Sequence, residues 1–147
     1  MKHTALAGIL ALSFVAACAM PVTVKNAPEN QNPAVTLLVQ QAQQSAASGH
    51  PRTAEGLIER ALRIAPHNPY LWHDLAKLRL ASHPNEARYL AIRSNALSGH
   101  HRALRARNWH LIASALAALG HPHRAAKADS RAQALANPGH QEDLGTP

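Results

Sequence analysis

Cysteine occurs once in the 147 residues, at position 18, so no disulfide can staple the folded part of the chain. Acidic side chains are sparse as well, eight against fifteen lysines and arginines, for a formal net charge of +7. Such a balance favours anionic partners. No apolar run reaches the roughly 18 residues that a permanent membrane helix needs. No alternating apolar and polar stretch follows residue 33, which argues against a sheet. The signatures of catalysis are missing too. His110 and Ser114 lie one helical turn apart without an orienting acid or a strained nucleophile turn, and His73 and Asp74, as neighbours on a helix, point in different directions. No glycine-rich loop is spaced to cradle a phosphate. The chain reads as a non-enzyme with no cofactor. Eleven histidines invite a metal, but no His-Glu-x-x-His pair occurs, and His100-His101 and His121-Pro122-His123 fall in turns with no carboxylate or thiolate to complete a ligand set. No metal site is expected.

What is present begins at the N-terminus. Lys2 and His3 precede an apolar stretch from Ala5 to Ala17, the length of a secretory signal. Val15-Ala16-Ala17-Cys18 closes it and resembles the bacterial lipobox. That resemblance implies lipidation of Cys18, cleavage before it and acylation of the new amine; a plain signal cut near Ala17 or Ala19 is the rival reading. Ala19 rather than aspartate follows the cysteine, which by the family's sorting rule implies the outer membrane, with the protein on its periplasmic face. Several acyl chains together give stable anchoring, at about 0.8 kcal/mol per buried methylene. Residues 1–17 are thus expected to be signal, and residues 18–33 a lipidated cysteine and flexible tether, rich in proline and asparagine. Residues 34–137 form one helical domain, and 138–147 a polar tail. An exported chain without a nucleic-acid motif is not expected to bind nucleic acid.

Helical periodicity fills the domain. Ala54, Leu57, Ile58, Ala61, Leu62 and Ala65 recur at helical spacing, with Pro51 fitting the first turn and Pro66 the stop. A second stripe runs through Leu71, Trp72, Leu75, Ala76 and Leu78. A third follows Pro84 through Ala87, Leu90, Ala91 and Ala96-Leu97, a fourth runs from Leu104 to Leu119, and a last helix extends from about Pro122 to Ala136. The blocks repeat. Gly49-His50-Pro51 returns as Gly120-His121-Pro122 after 71 residues, and Trp72-His73 as Trp109-His110 after 37. With Gly49, Ala54, Ile58, Ala61 and Pro66, then Trp72, Leu75, Ala76 and Ala87, then Trp109, Ile112, Ala113, Gly120, Ala125 and Ala132, the chain resembles the tetratricopeptide repeat (TPR) family. The resemblance implies an all-α fold, an α-solenoid of about three helix-turn-helix repeats, with both tryptophans in the core. Leu38 stands where the first unit would carry tryptophan, Gln41 holds a usually apolar position, and Asp129 replaces a large apolar residue. No polar capping helix follows, so an open apolar end is expected, and self-association through the C-terminal helix with it.

Carrying the family's groove positions across names Thr36, Val39 and Gln43, then Tyr70, His73 and Lys77, then Arg107, His110 and Ser114. The resemblance implies a partner groove there, in which Lys77 and Arg107 hold an acidic or carboxylate-presenting envelope protein or peptide. Arg102, Arg105 and Arg107 form a second candidate, a basic patch. Removal of Lys2 with the signal leaves fourteen basic against eight acidic side chains, a net charge of +6. The leading expectation is an adaptor or scaffold for an envelope assembly; the alternative is a binder of anionic glycan or lipid through the basic helical surface.

Overall fold

The structure, a computed structural model, describes residues 32–137. The signal segment, Cys18, all but the last two residues of the expected tether and the polar tail lie outside them. Six helices follow one another: α1 (Pro33–Ala47), α2 (Pro51–Ile64), α3 (Pro69–Arg79), α4 (Pro84–Leu97), α5 (Arg102–Ala118) and α6 (Pro122–Ala136). Among the described residues there is no strand, and no helix is long and apolar enough to cross a membrane.

The helix ends follow from local chemistry. Every helix but α5 starts with proline, whose absent N–H would have had no partner there. The Asn32 and Asn68 side chains accept from the N–H groups of Ala34 and Tyr70, at 2.9 and 3.0 Å, and so cap α1 and α3. α1 begins at Pro33, one residue inside the expected tether. Its exit and that of α5 are the same device. Gly49 and Gly120 take φ of 78° and 77°, which lets the N–H groups of His50 and His121 donate back to the carbonyls of Ser45 and Leu116, both at 2.9 Å. The α3–α4 connection has no glycine and no residue at positive φ; there His83 N–H donates to the Arg79 carbonyl at 2.8 Å.

The helices pack as three successive pairs, α1–α2, α3–α4 and α5–α6. α2–α3 and α4–α5 join one pair to the next, and α3 also touches α5. This is the expected repeat architecture. The apolar core divides into two clusters. One gathers Val35, Leu38, Ile58, Leu62, Leu71 and Leu75 from α1, α2 and α3; the other gathers Ala76, Ala91, Ile112, Leu116 and Ala128 from α3 to α6. Leu90 packs against both. Gln41 is exposed beside buried Ala42, so its polarity at a usually apolar position costs nothing.

Three expectations need correction. Ala96 is exposed and Leu97 only half-buried; the residues that enter the interior near them are Ser94 of α4 and Ser98, which caps its end. The two tryptophans are half-buried rather than enclosed. Each lays one face on a core cluster and carries a guanidinium on its ring, Arg93 over Trp72 at 4.3 Å and Arg131 over Trp109 at 4.8 Å. The expected open apolar end at α6 is apolar in small side chains only, with Ala126 and Ala136 exposed. Among the described residues the large exposed apolar side chains are Leu37, Ile64, Tyr70, Tyr89 and Ile92, none of them on α6.

Candidate functional site

Stacked helix pairs curve, with the first helices lining the inner side. Tyr70, His73 and Lys77 on α3 and Arg107, His110 and Ser114 on α5 each share one side of their helix, here termed the concave face, but they do not form one cup. Tyr70 and Lys77 line hollows between α1 and α3, of about 360 and 180 Å³, together with Thr36, Gln43 and Asp74. Arg107 and His110 line a separate hollow of about 510 Å³ against the end of α6. Lys77, Arg107, His110 and Ser114 are exposed. Ser114 donates its hydroxyl to the His110 carbonyl at 3.0 Å, and His110 Nδ1 pairs with Asp129 at 2.7 Å. Asp129, foreseen as a misfit in α6, thus holds a groove residue of α5.

His73 departs from expectation most. It is buried and lines none of these hollows, with Nδ1 donating to Asn108 Oδ1 at 2.7 Å. Asn108 is fully buried, and its amide donates to Ser94 Oγ at 2.7 Å and Asn95 Oδ1 at 3.0 Å. Ser94 donates in turn to the Pro69 carbonyl at 2.7 Å, and Ser98 to the Ser94 carbonyl at 2.6 Å. A polar network therefore ties α3, α4 and α5 together, with no buried side-chain nitrogen or oxygen left unpartnered among the described residues. Its role is positional: it fixes the α3 and α5 faces that carry Lys77 and Arg107.

Burial pushes the His73 pKa below its ordinary value, and Arg107 and Lys77 push it further, against the opposite pull of the Asn108 hydrogen bond and Asp74. Burial raises Asp74 above the usual carboxylate value, opposed by His73, Lys77 and Arg107. Both cations are thus electrostatic neighbours of one His-Asp pair. For His73 the unfolded chain takes up the proton first, so stability falls as pH drops below 6.5 toward the lowered native value. Asp74 has the reverse slope, losing stability as pH rises from 3.8 toward its raised native value. The expected result is a lower urea midpoint at about pH 5.5 than at pH 7.5, with the difference reduced in His73→Gln. An undiminished difference in that variant would remove His73 as its source.

The basic patch splits. Arg102 donates to the last carbonyls of α6, Ala134 and Leu135, at 3.3 and 3.5 Å, and lines the same hollow as Arg107. Arg105 is half-buried and does not line that hollow. One ionic cluster was not foreseen: Arg79 reaches Glu59 and Glu86 and lies 3.4 Å from Glu55, gathering the carboxylates of α2 and α4 over α3. The sequence offers only Glu55 and Glu59 one helical turn apart; Arg79 and Glu86 join them through packing. Among the described residues no three His, Cys, Asp or Glu side chains gather as a metal-binding group.

Comparison with known proteins fits this geometry. The tetratricopeptide repeat family model matches residues 35–78, which span α1 to α3 and include the first unit despite its Leu38 and Gln41. No curated protein sequence matches the chain. Among solved structures, the globular C-terminal domain of P. aeruginosa LpoP is similar, with 35% sequence identity and a TM-score of 0.68. The likeness covers 69% of this chain and 97% of that domain. Repeats, helix pairing and this likeness agree, and the chain belongs to the LpoP family, its folded part being a tetratricopeptide-repeat domain for protein interaction.

Proposed function

We propose that the protein is a non-catalytic adaptor, held at the periplasmic face of the outer membrane by lipid on Cys18, that recruits a protein partner to an envelope assembly. The observation that carries this reading is the concave face, where Lys77 and Arg107 stand exposed on two helices locked together by the His73–Asn108 network. An extended acidic segment lying across α1, α3 and α5 would meet Lys77 in one hollow and Arg107 in the next. The lipobox-like Val15-Ala16-Ala17-Cys18 supports the anchor. Confinement to one surface raises effective concentration, so a weak contact suffices. The split of Arg102, Arg105 and Arg107 favours the protein partner over a glycan or lipid bound to a continuous basic patch.

Photo-crosslinking in the native cell from an unnatural side chain at Lys77, with exposed Arg60 as control, tests the reading. The expected result is one dominant envelope protein captured from Lys77 alone, and its loss when Arg107 is alanine. Capture of glycan or lipid only, or equal labelling from both positions, would overturn it.

A further inference from the structure

The repeats build a second kind of recess, on the sides of α3 and α5 turned away from the concave face. The first outer groove is walled by α2 and α4 over Trp72, Leu75 and Arg79; the second is walled by α4 and α6 over Trp109, Ile112 and Leu116. Their positions correspond one to one, because α3 maps onto α5 after 37 residues, α2 onto α4 after 33 and α4 onto α6 after 38. The arginine stacked on tryptophan is common to both.

The remaining chemistry is not. In the first groove Arg79 is surrounded by Glu55, Glu59 and Glu86. The corresponding residues of the second groove are Leu116, Arg88, Ile92 and Arg124. Every carboxylate is gone and the central cation has become apolar. Lys127 and Arg131 join Arg88 and Arg124, so four cations stand around a recess of about 240 Å³ with Ile112 and Leu116 at its base. Among the described residues there are five carboxylates. Three gather on Arg79, Asp129 pairs with His110, and Asp74 lies on the concave side. None of these five described carboxylates pairs with any of the four cations.

We propose that this second outer groove is a binding site for an acidic peptide segment of a partner protein that inserts one large apolar side chain between its carboxylates. Four like charges held together repel one another, and an anion relieves that repulsion. The apolar base selects among anions. A free phosphate has no apolar body to offer it, and a flat lipid surface meets the rim without reaching Ile112 and Leu116, which are buried at 3% and 6% exposure. A peptide side chain flanked by carboxylates satisfies both the rim and the base, and guanidinium groups match carboxylates in paired hydrogen bonds. The site is independent of the concave face, since Trp109, Ile112 and Leu116 lie on the side of α5 opposite Arg107, His110 and Ser114.

The test measures binding of two labelled seven-residue acidic peptides to the full chain by fluorescence anisotropy, one with a central phenylalanine and one with alanine there. Inorganic phosphate and phosphatidylglycerol vesicles serve as competitors. The phenylalanine peptide is expected to bind at least tenfold more tightly, the ratio following from burial of one large apolar side chain. Arg124→Glu with Lys127→Glu, both at exposed positions, should abolish that binding, while Lys77→Ala with Arg107→Ala should leave it unchanged. Equal affinity for the two peptides, or displacement by vesicles as effective as by unlabelled peptide, would overturn the proposal in favour of plain charge attraction. Loss of binding in the Lys77 and Arg107 variant would overturn it in favour of the concave face. No binding of either peptide would end it, with the crosslinking result at Lys77 unaffected.

Discussion

Asn108→Ala is expected to lower stability by about 3 kcal/mol, because it strands polar groups in the interior rather than merely opening space. Asn108 is fully buried and accepts from His73 while donating to Ser94 and Asn95. Its removal leaves the His73 N–H without an acceptor, at a desolvation cost of about 1–3 kcal/mol, and adds the lost contacts to Ser94 and Asn95. In urea that is a fall in midpoint of roughly 2 M for a domain of this size. A fall below about 0.5 M would show that the network contributes little. The matched control is informative in its own right. Adding His73→Leu to Asn108→Leu removes both ends of the bond, so the pair should be less destabilised than Asn108→Leu alone.

A comparable loss, about 3 kcal/mol, is expected for Leu71→Ala. Leu71 is 1% exposed and lies where α3 meets the side chains of α1 and α2, so truncation leaves a cavity that three helices would have to close. The effect should be uneven along the chain. Trp72 packs on the first apolar cluster and Trp109 on the second. In variants retaining one tryptophan each, the Trp72 transition should move further than the Trp109 transition, since repeat arrays couple only through neighbouring interfaces. Coincident transitions would mean that Leu90 and the polar network bind the two clusters into one cooperative unit.

Much of the fold was legible because its punctuation is chemical. Proline starts five of the helices, and Gly49 and Gly120 supply left-handed turns at matching places in two units, so periodicity between those marks had one reading. The concave-face residues were legible only as positions. Tyr70, Lys77, Arg107 and His110 line separate hollows, and His73, named with them, is buried instead. Its burial depends on an asparagine 35 residues further along the chain. Periodicity cannot foresee a buried histidine whose acceptor sits on another helix, nor a serine such as Ser94 in a stripe otherwise made of alanine and leucine. Arg102, Arg105 and Arg107 looked like a patch because they are close in sequence. On a helix that closeness does not put all three on one side: Arg105 falls outside the hollow that Arg102 and Arg107 line, and Arg102 is drawn off by the carbonyls at the end of α6. The outer grooves were missed for a related reason, since Glu55, Glu86 and Arg79 meet only after three helices have folded against one another.

The stacks of Arg93 on Trp72 and Arg131 on Trp109 each join the two helices of a single unit, not one unit to the next. Each of those units therefore carries its own clamp, whatever neighbour it stands beside. The first unit has the matching arginine, Arg60, but Leu38 in place of the ring, and so lacks one. An array made of self-clamped units can lengthen or shorten by whole-repeat duplication or deletion while the rest keeps its shape, and the unclamped α1–α2 pair is the edge at which a descendant of this chain would most easily be cut back or extended.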